Sequence, residues 1–251
     1  MAGEVVLKKI AVCYRAFLLA LLALSASQSL SQTQTVAATV SAPASSAAST
    51  ASANRIDVPA LLHPDPWEYG VFLDGGFGTH SHPGTDYHFF NAGVRLGKVL
   101  TGAAGPGILH GQFEYAVDAM PYWQVFTPKE IVSVTTGNPP QTVQYHTGGS
   151  FSGFSVTPII LRWNLVHWHR VLPWIQGAGG LIWTNHKFPP IATSVWNFSP
   201  QFGIGFHYFL KPNRAITFAG NAEHISSASL GDKNPGVNAS VQFQIGYTWW
   251  K

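Results

Sequence analysis

Apolar and polar side chains alternate along long segments of the chain. The clearest segment is 239–249, where the odd positions carry apolar side chains and the even positions carry Ser, Gln, Gly or Thr. Segments 109–119 and 198–210 show the same alternation. A period of two is typical of a β-strand that has one apolar and one polar face. The pattern therefore predicts an all-β protein.

Eight segments of this kind can be delimited. The predicted strands are 67–78, 87–98, 108–125, 151–164, 171–184, 197–210, 215–226 and 238–250. Each is long enough to cross a membrane at the usual tilt, which takes about 9–11 residues, and outer-membrane barrels have an even number of strands. We therefore predict an eight-stranded antiparallel outer-membrane β-barrel over residues 61–251.

The connections between the predicted strands differ in length on the two sides. Longer connections precede the even-numbered strands, as expected for extracellular loops opposite short periplasmic turns. Both ends of the barrel domain are then periplasmic. Within 126–150, the longest connection, Asn138-Pro139-Pro140 predicts the turn of an additional hairpin. Trp249 and Trp250 are predicted to join the aromatic girdle at the membrane interface.

Charged residues make up only 10% of the chain. Those on the polar faces of the predicted strands are expected to pair inside the lumen: Glu68, Asp74, Arg95, Glu114 and Asp118. A soluble lipid-binding barrel is the alternative, because its strands also alternate, but its apolar face points inward and its outer face needs many charges. The scarcity of charge favours the membrane barrel.

The first sixty residues are predicted to form a targeting segment and a linker rather than part of the folded domain. Lys8, Lys9 and Arg15 precede the apolar run 16–26, which is shorter than the roughly 17–25 residues of a membrane-spanning helix. We predict a signal peptide over 1–27, followed by a low-complexity flexible linker over 28–60. The predicted signal peptide also holds Cys13, the single cysteine, so the remaining chain would form no disulfide. The predicted signal peptide contributes +2 of the net charge of +3. The rest of the chain has a net charge of only +1, so no nucleic-acid binding is predicted.

Candidate chemistry lies in the stretch 221–238, at the end of the seventh strand. His224 and Ser226 are two residues apart and therefore share one face of the strand. They have the parity of Ile216 and Phe218, so both are predicted to point outward, at the level of the outer leaflet that contains lipid A. Polar side chains in contact with lipid are costly, which favours a functional role.

The pattern H-x-S, followed by Ala and then by N-P-G-x-N before the last strand, resembles the outer-membrane lipid A 3-O-deacylase (PagL) family. The matching positions are His224, Ser226, Ala228, Asn234, Gly236 and Asn238. The resemblance implies a serine esterase that removes the 3-O-linked acyl chain of lipid A in lipopolysaccharide. Ser226 would be the nucleophile and His224 its base, with Asn234 and Gly236 supporting the oxyanion loop. The resemblance implies no metal and no cofactor.

Two positions depart from the family pattern. Asn238 stands where the family has the Glu that orients the histidine, and Ser227 stands where it usually has Asn. An Asn can still orient an imidazole by a hydrogen bond, but it cannot stabilise imidazolium by its charge. The alternative function is a non-catalytic barrel, an adhesin or structural protein, in which the motif only orders a loop. A lipid-facing homodimer is also left open.

Overall fold

The computed structural model describes residues 66–79, 87–188, 194–228, 230 and 238–251. These residues form a closed barrel in which sequential strands pair antiparallel and the last strand pairs with the first. The strands are β1 (Trp67–Gly78), β2 (His88–Val99), β3 (Gly111–Thr136), β4 (Gln141–Leu165), β5 (Val171–Thr184), β6 (Trp196–Lys211), β7 (Arg214–Ile225) and β8 (Asn238–Trp250). The predicted eight-stranded barrel is confirmed, whereas the predicted signal peptide and linker lie outside the described residues.

Six strands end within one residue of their predicted limits, and β3 and β4 differ. β3 begins at Gly111 rather than at 108, because Gly107–Leu109 forms a short 3-10 helix. Among the described residues, no helix is long and apolar enough to cross a membrane.

β3 and β4 continue far beyond the barrel wall as a two-stranded ribbon. β2 pairs with β3 only as far as Phe126, and β5 pairs with β4 only from Gly153. Beyond these points β3 and β4 pair with each other up to the pair Thr136–Gln141. The predicted additional hairpin is therefore a continuation of these two strands, which turns at 137–140. We call the end of the barrel that carries this ribbon the upper end.

The inner and outer faces of the barrel have opposite chemistry. Polar side chains such as Glu68, Gln112 and Asn164 are buried in the lumen. Apolar side chains such as Val71 and Leu96 lie outside and are almost half exposed. A soluble lipid-binding barrel would have the reverse arrangement, so the soluble alternative is wrong.

Two buried arginines form ion pairs with carboxylates in the lumen. Arg95 donates two hydrogen bonds of 2.6 Å to the carboxylate of Asp118. Arg162 Nη1 lies 3.1 Å from Glu68 Oε2 and 3.5 Å from Glu114 Oε1. The predicted pairing is confirmed for Glu68, Glu114 and Asp118. The cation that pairs with the two glutamates is Arg162, which was not among the predicted lumen charges.

Asp74 behaves differently from the other predicted lumen charges. Its Oδ1 accepts a hydrogen bond of 3.2 Å from the amide of Asn91. Among the described residues Asp74 does not join an ion pair, contrary to the prediction, because this acid lies among amide side chains near the upper end. An amide supplies hydrogen bonds to a buried carboxyl group without adding a charge.

Apolar side chains close the lumen above and below this polar layer. The upper cluster consists of Tyr87, Phe89, Trp123, Val125, Phe151, Ile182, Phe188 and Ile225. The ring of Phe188 lies at its centre, with centroids 5.1 Å from Tyr87, 5.3 Å from Phe151 and 5.6 Å from Trp123. The lower cluster consists of Val99, Val166, Leu172, Phe209, Ala215 and Trp250. The barrel interior is therefore a packed core.

Trp250 corrects one prediction about the aromatic girdle. Its side chain is only 2% exposed, and its ring stacks on Phe209 with centroids 5.0 Å apart. Trp249 lies on the outer face, where it stacks on Tyr69 at 5.9 Å. Because neighbouring residues of a strand point to opposite faces, only one of the two tryptophans can face the membrane.

Candidate active site

His224 and Ser226 lie on the outer face at the upper end of β7. Burial alternates along this strand, with Glu223 and Ile225 buried inside and His224 half-buried outside. Ser226 follows with the same parity and is also half-buried. The imidazole and the hydroxyl therefore lie on the same side of the sheet, the side that also carries Ile216 and Phe218.

The backbone fixes Ser226 against β6 just after β7 ends. Its N–H donates to the Phe198 carbonyl at 3.0 Å, and its own carbonyl accepts from the Phe198 N–H at 2.7 Å. Its Oγ accepts a hydrogen bond of 3.1 Å from the N–H of Ala228. Ala228 has a φ of 47°, in the left-handed region, so the chain turns sharply after the serine. The turn holds the hydroxyl at the end of the strand.

Ser227 provides a contrast within the same turn. Its side chain is 1% exposed, on the opposite face from Ser226. Its Oγ is buried without a hydrogen-bond partner among the described residues. The wall of the barrel separates Ser227 from the outer face, so only Ser226 shares a face with His224.

One ring nitrogen of His224 is available to an orienting group. Nδ1 is buried and has no hydrogen-bond partner in the described part of the chain. In the β7–β8 register, His224 pairs with Ala239, and Asn238 pairs with the next residue, Ile225. Asn238 thus lies one register position from the pair that contains His224. Asn234 and Gly236 lie outside the described residues.

The side chain of Glu223, the acid next to His224 in sequence, lies in the lumen. Its carboxylate accepts a hydrogen bond of 3.1 Å from Gln201 and another from Gln242. Both amides lie inside the barrel with it. Because the sheet separates this carboxylate from the imidazole, Glu223 is not placed to orient His224.

Thr79, which follows β1, forms hydrogen bonds to β8 beside the site. Its N–H and its Oγ1 both donate to the carbonyl of Ala239, at 2.7 Å and 3.0 Å. Ala239 is the register partner of His224, so these bonds connect the ends of β1, β8 and β7. Sequence reasoning missed Thr79, because it follows its strand and lies in no motif.

A trough runs down the outer face below His224. The next two outward positions on β7 are Ala222 and Gly220, and a Cβ at Gly220 would meet no atom within 4 Å. Their neighbours in register are large: Phe202, 60% exposed, beside Ala222, and Phe243 beside Gly220. From His224 to Gly220 the trough is about 13 Å long, at roughly 3.3 Å per residue.

Phe218 marks the lower end of the trough. It is the next outward residue of β7, and its ring stacks on Phe206 with centroids 5.3 Å apart. The trough is therefore an apolar groove that is open towards His224 and blocked by an aromatic pair below. Sequence reasoning missed this groove, although the small residues Ala222 and Gly220 at consecutive outward positions of β7 could have indicated it.

Comparisons with known proteins give a family. The family model "Lipid A 3-O-deacylase (PagL)" matches residues 119–248. Among solved structures, the outer membrane enzyme PagL is similar, with 13% identity, a TM-score of 0.46, and coverage of 72% of this chain and 98% of that one. Neisserial surface protein A is similar at 12% identity and TM-score 0.46, covering 73% and 96% of the two chains. No match was found among curated proteins.

The match to the family model is the informative comparison, because it identifies a family. It spans slightly more than half of the chain, from the middle of β3 into β8. It includes His224, Ser226 and the turn that follows them. Membership of this family and the apolar outer face of the barrel place the protein in the outer membrane. The chain belongs to the lipid A 3-O-deacylase (PagL) family.

Proposed function

We propose that the protein is a serine esterase that removes the 3-O-linked acyl chain of lipid A. The observation that carries this proposal is the outward position of both His224 and Ser226 on β7. Many side chains of this outer face are apolar, and polar groups facing lipid raise the free energy of the folded protein. A hydroxyl and an imidazole beside the outer leaflet are where an enzyme that acts on a lipid ester needs them.

The proposed reaction has two steps. Ser226 Oγ attacks the ester carbonyl carbon while His224 accepts the hydroxyl proton, and the proton then passes to the departing sugar oxygen. Water, deprotonated by His224, next attacks the acyl-serine, which releases the fatty acid and restores Ser226. The chemistry needs no metal or cofactor.

Two further roles in this reaction rest on the family motif. We assign Asn234 to the stabilisation of the oxyanion, with Gly236 shaping its loop, because developing negative charge needs preorganised donors. We assign Asn238 to the orientation of His224 through the buried Nδ1. The position of Asn238, one register position from the pair that contains His224, supports this assignment.

The trough below His224 supports an acyl-chain substrate. Ala222 and Gly220 leave room along the strand, and Phe202 and Phe243 supply apolar walls. A chain lying there would bury its methylene groups against these walls, and each buried CH₂ is worth about 0.8 kcal/mol. The ester would then lie at the upper end of the trough, beside Ser226.

Mass spectrometry of lipid A tests the proposal. Cells that express the wild-type protein should yield lipid A that has lost one acyl chain, and fragmentation should locate the loss at the 3-position. Ser226→Ala should leave lipid A intact. Ser227→Ala is the matched control, since this serine lies on the other face, and it should retain activity. A folded Ser226→Ala barrel that deacylates as well as the wild type would refute the proposal.

A non-catalytic barrel is the second candidate, and the ribbon of β3 and β4 is the observation that favours it. The ribbon extends beyond the barrel wall and exposes Ile131 and Val143. An adhesin or structural protein would use such a surface. For that candidate, the same experiment should show unchanged lipid A in cells whose wild-type barrel is folded in the outer membrane.

A further inference from the structure

Basic side chains gather at the lower end of the barrel, opposite the ribbon. They are Lys98, Arg170, Lys211 and Arg214, which we call the basic rim. Arg170 precedes β5, Lys211 ends β6 and Arg214 begins β7, and all three are exposed. Lys98 lies near the end of β2 and is half-buried.

The backbone holds the members of the basic rim along one arc. The Arg170 carbonyl accepts a hydrogen bond of 2.8 Å from the N–H of Phe209, near the end of β6. Lys211 and Arg214 are register partners across the β6–β7 turn. Farther around the barrel, the Lys98 ammonium lies 5.2 Å from the centre of the Trp67 ring. The cations therefore follow the rim from β5 to β2.

The described carboxylate side chains of the lower half lie inside the barrel rather than on the rim. Glu68 and Glu114 are buried in the lumen around Arg162, and Asp118 is buried against Arg95. In the described ranges, no carboxylate side chain lies on the rim itself. Among the described residues, Arg170, Lys211 and Arg214 therefore give the outer surface beside β5, β6 and β7 a cluster of exposed positive charges.

Aromatic side chains on the outer face mark the level of the membrane interface. Trp67 and Tyr247 are exposed there, as is Trp168 in the β4–β5 turn. Tryptophan and tyrosine prefer the level of the lipid head groups, and long basic side chains extend to the same level. The basic rim therefore lies where head groups meet water.

We propose that the basic rim binds anionic glycerophospholipids of the periplasmic leaflet. This inference rests on the orientation in the proposed function, in which the upper end with His224 and Ser226 faces the lipid A leaflet and the lower end faces the phospholipid leaflet. A phosphatidylglycerol head group carries a net negative charge that the rim attracts, whereas the ammonium of phosphatidylethanolamine offsets its phosphate. This lipid contact is independent of any hydrolysis at Ser226.

Tryptophan quenching by brominated lipids tests the inference. The full-length protein is reconstituted in phosphatidylethanolamine vesicles that contain brominated phosphatidylglycerol or brominated phosphatidylethanolamine. We expect several-fold preference for phosphatidylglycerol in the wild type. We expect the preference to decrease with each cation removed in the cumulative series Arg214→Gln, Lys211→Gln and Arg170→Gln, and to approach equal affinity for the two lipids in the triple variant. Added salt should weaken the preference.

Lys129→Gln is the control, because it removes an exposed cation from the ribbon at the opposite end. This variant should keep the wild-type lipid preference. The three rim side chains are exposed, so their glutamine variants should fold, which the heat-dependent gel mobility of the barrel can verify. Equal affinity for the two lipids in the wild type, or an unchanged preference in the triple variant, would overturn the inference.

Discussion

At the scale of the residue, the two neighbouring serines show how strand parity selects chemistry. Ser226 lies outside with His224, and Ser227 is buried inside without a partner among the described residues. The alternation of β7 was sufficient to predict which serine faces out. The sequence could not reveal the bonds that hold it, because they come from Phe198 on another strand and from the left-handed turn at Ala228.

Asn238→Glu tests how His224 is oriented. If Asn238 orients the imidazole, a glutamate there should preserve or raise deacylation, because its charge would also stabilise the imidazolium. Asn238→Ala should lower the activity. The rate of deacylation of purified lipid A checks both variants. Loss of activity in a folded Asn238→Glu protein would mean that another group accepts the hydrogen bond from His224.

At the scale of the element, changes of strand phase limited the sequence analysis. In β4, Ser155 and Thr157 face inward, and after a register shift between Val156 and Ile159 the inward residues are Ile160 and Arg162. If the alternation of Ser155 and Thr157 continued unchanged through the strand, Arg162 would face the lipid. The limits of six strands were predictable because they follow local patterning, whereas the extension of β3 and β4 into the ribbon and the β-bulges depend on pairing with a partner strand.

Gly220→Leu tests the trough on β7. A side chain at Gly220 meets no protein atom within 4 Å, so the barrel should fold while the new side chain fills the trough. We expect at least a tenfold loss of activity on long-chain lipid A and a smaller loss on a short-chain ester. The ratio of the two kcat/KM values, measured in detergent, is the readout.

Gly177→Leu is the matched control for the trough, because Gly177 on β5 also has no atom within 4 Å of an added Cβ. This variant should keep wild-type activity on both esters. Equal losses in the two glycine variants would show that the effect is a general one on the barrel rather than a block in the trough.

At the scale of the whole molecule, stability depends on a lumen that is packed along its length. Arg162 lies at the centre of its polar layer, in contact with Glu68, Glu114 and Gln176, and its guanidinium lies 4.3 Å from the Trp174 ring centre. A polar lumen and an apolar exterior could be predicted from the alternation. The apolar clusters at both ends could not, because they combine residues from several strands and loops.

Arg162→Met should destabilise the barrel strongly. Removing one partner of a buried ion pair leaves an uncompensated charge and typically costs about 3–5 kcal/mol. Urea unfolding in detergent, followed by tryptophan fluorescence, measures the change in the free energy of unfolding. Arg214→Met is the control, since Arg214 is exposed, and it should change that free energy by about 0.5 kcal/mol or less. Similar losses in both variants would contradict this account of the lumen.

Covalent trapping of the nucleophile tests the central claim most directly. A long-chain nitrophenyl phosphonate should react with the purified protein, forming a phosphorus–oxygen bond to Ser226 Oγ as nitrophenolate departs. Peptide mass spectrometry should find the adduct on Ser226 in the wild type and no adduct in His224→Ala. An adduct on a different residue, or a protein that deacylates lipid A while Ser226 stays unmodified, would contradict the account.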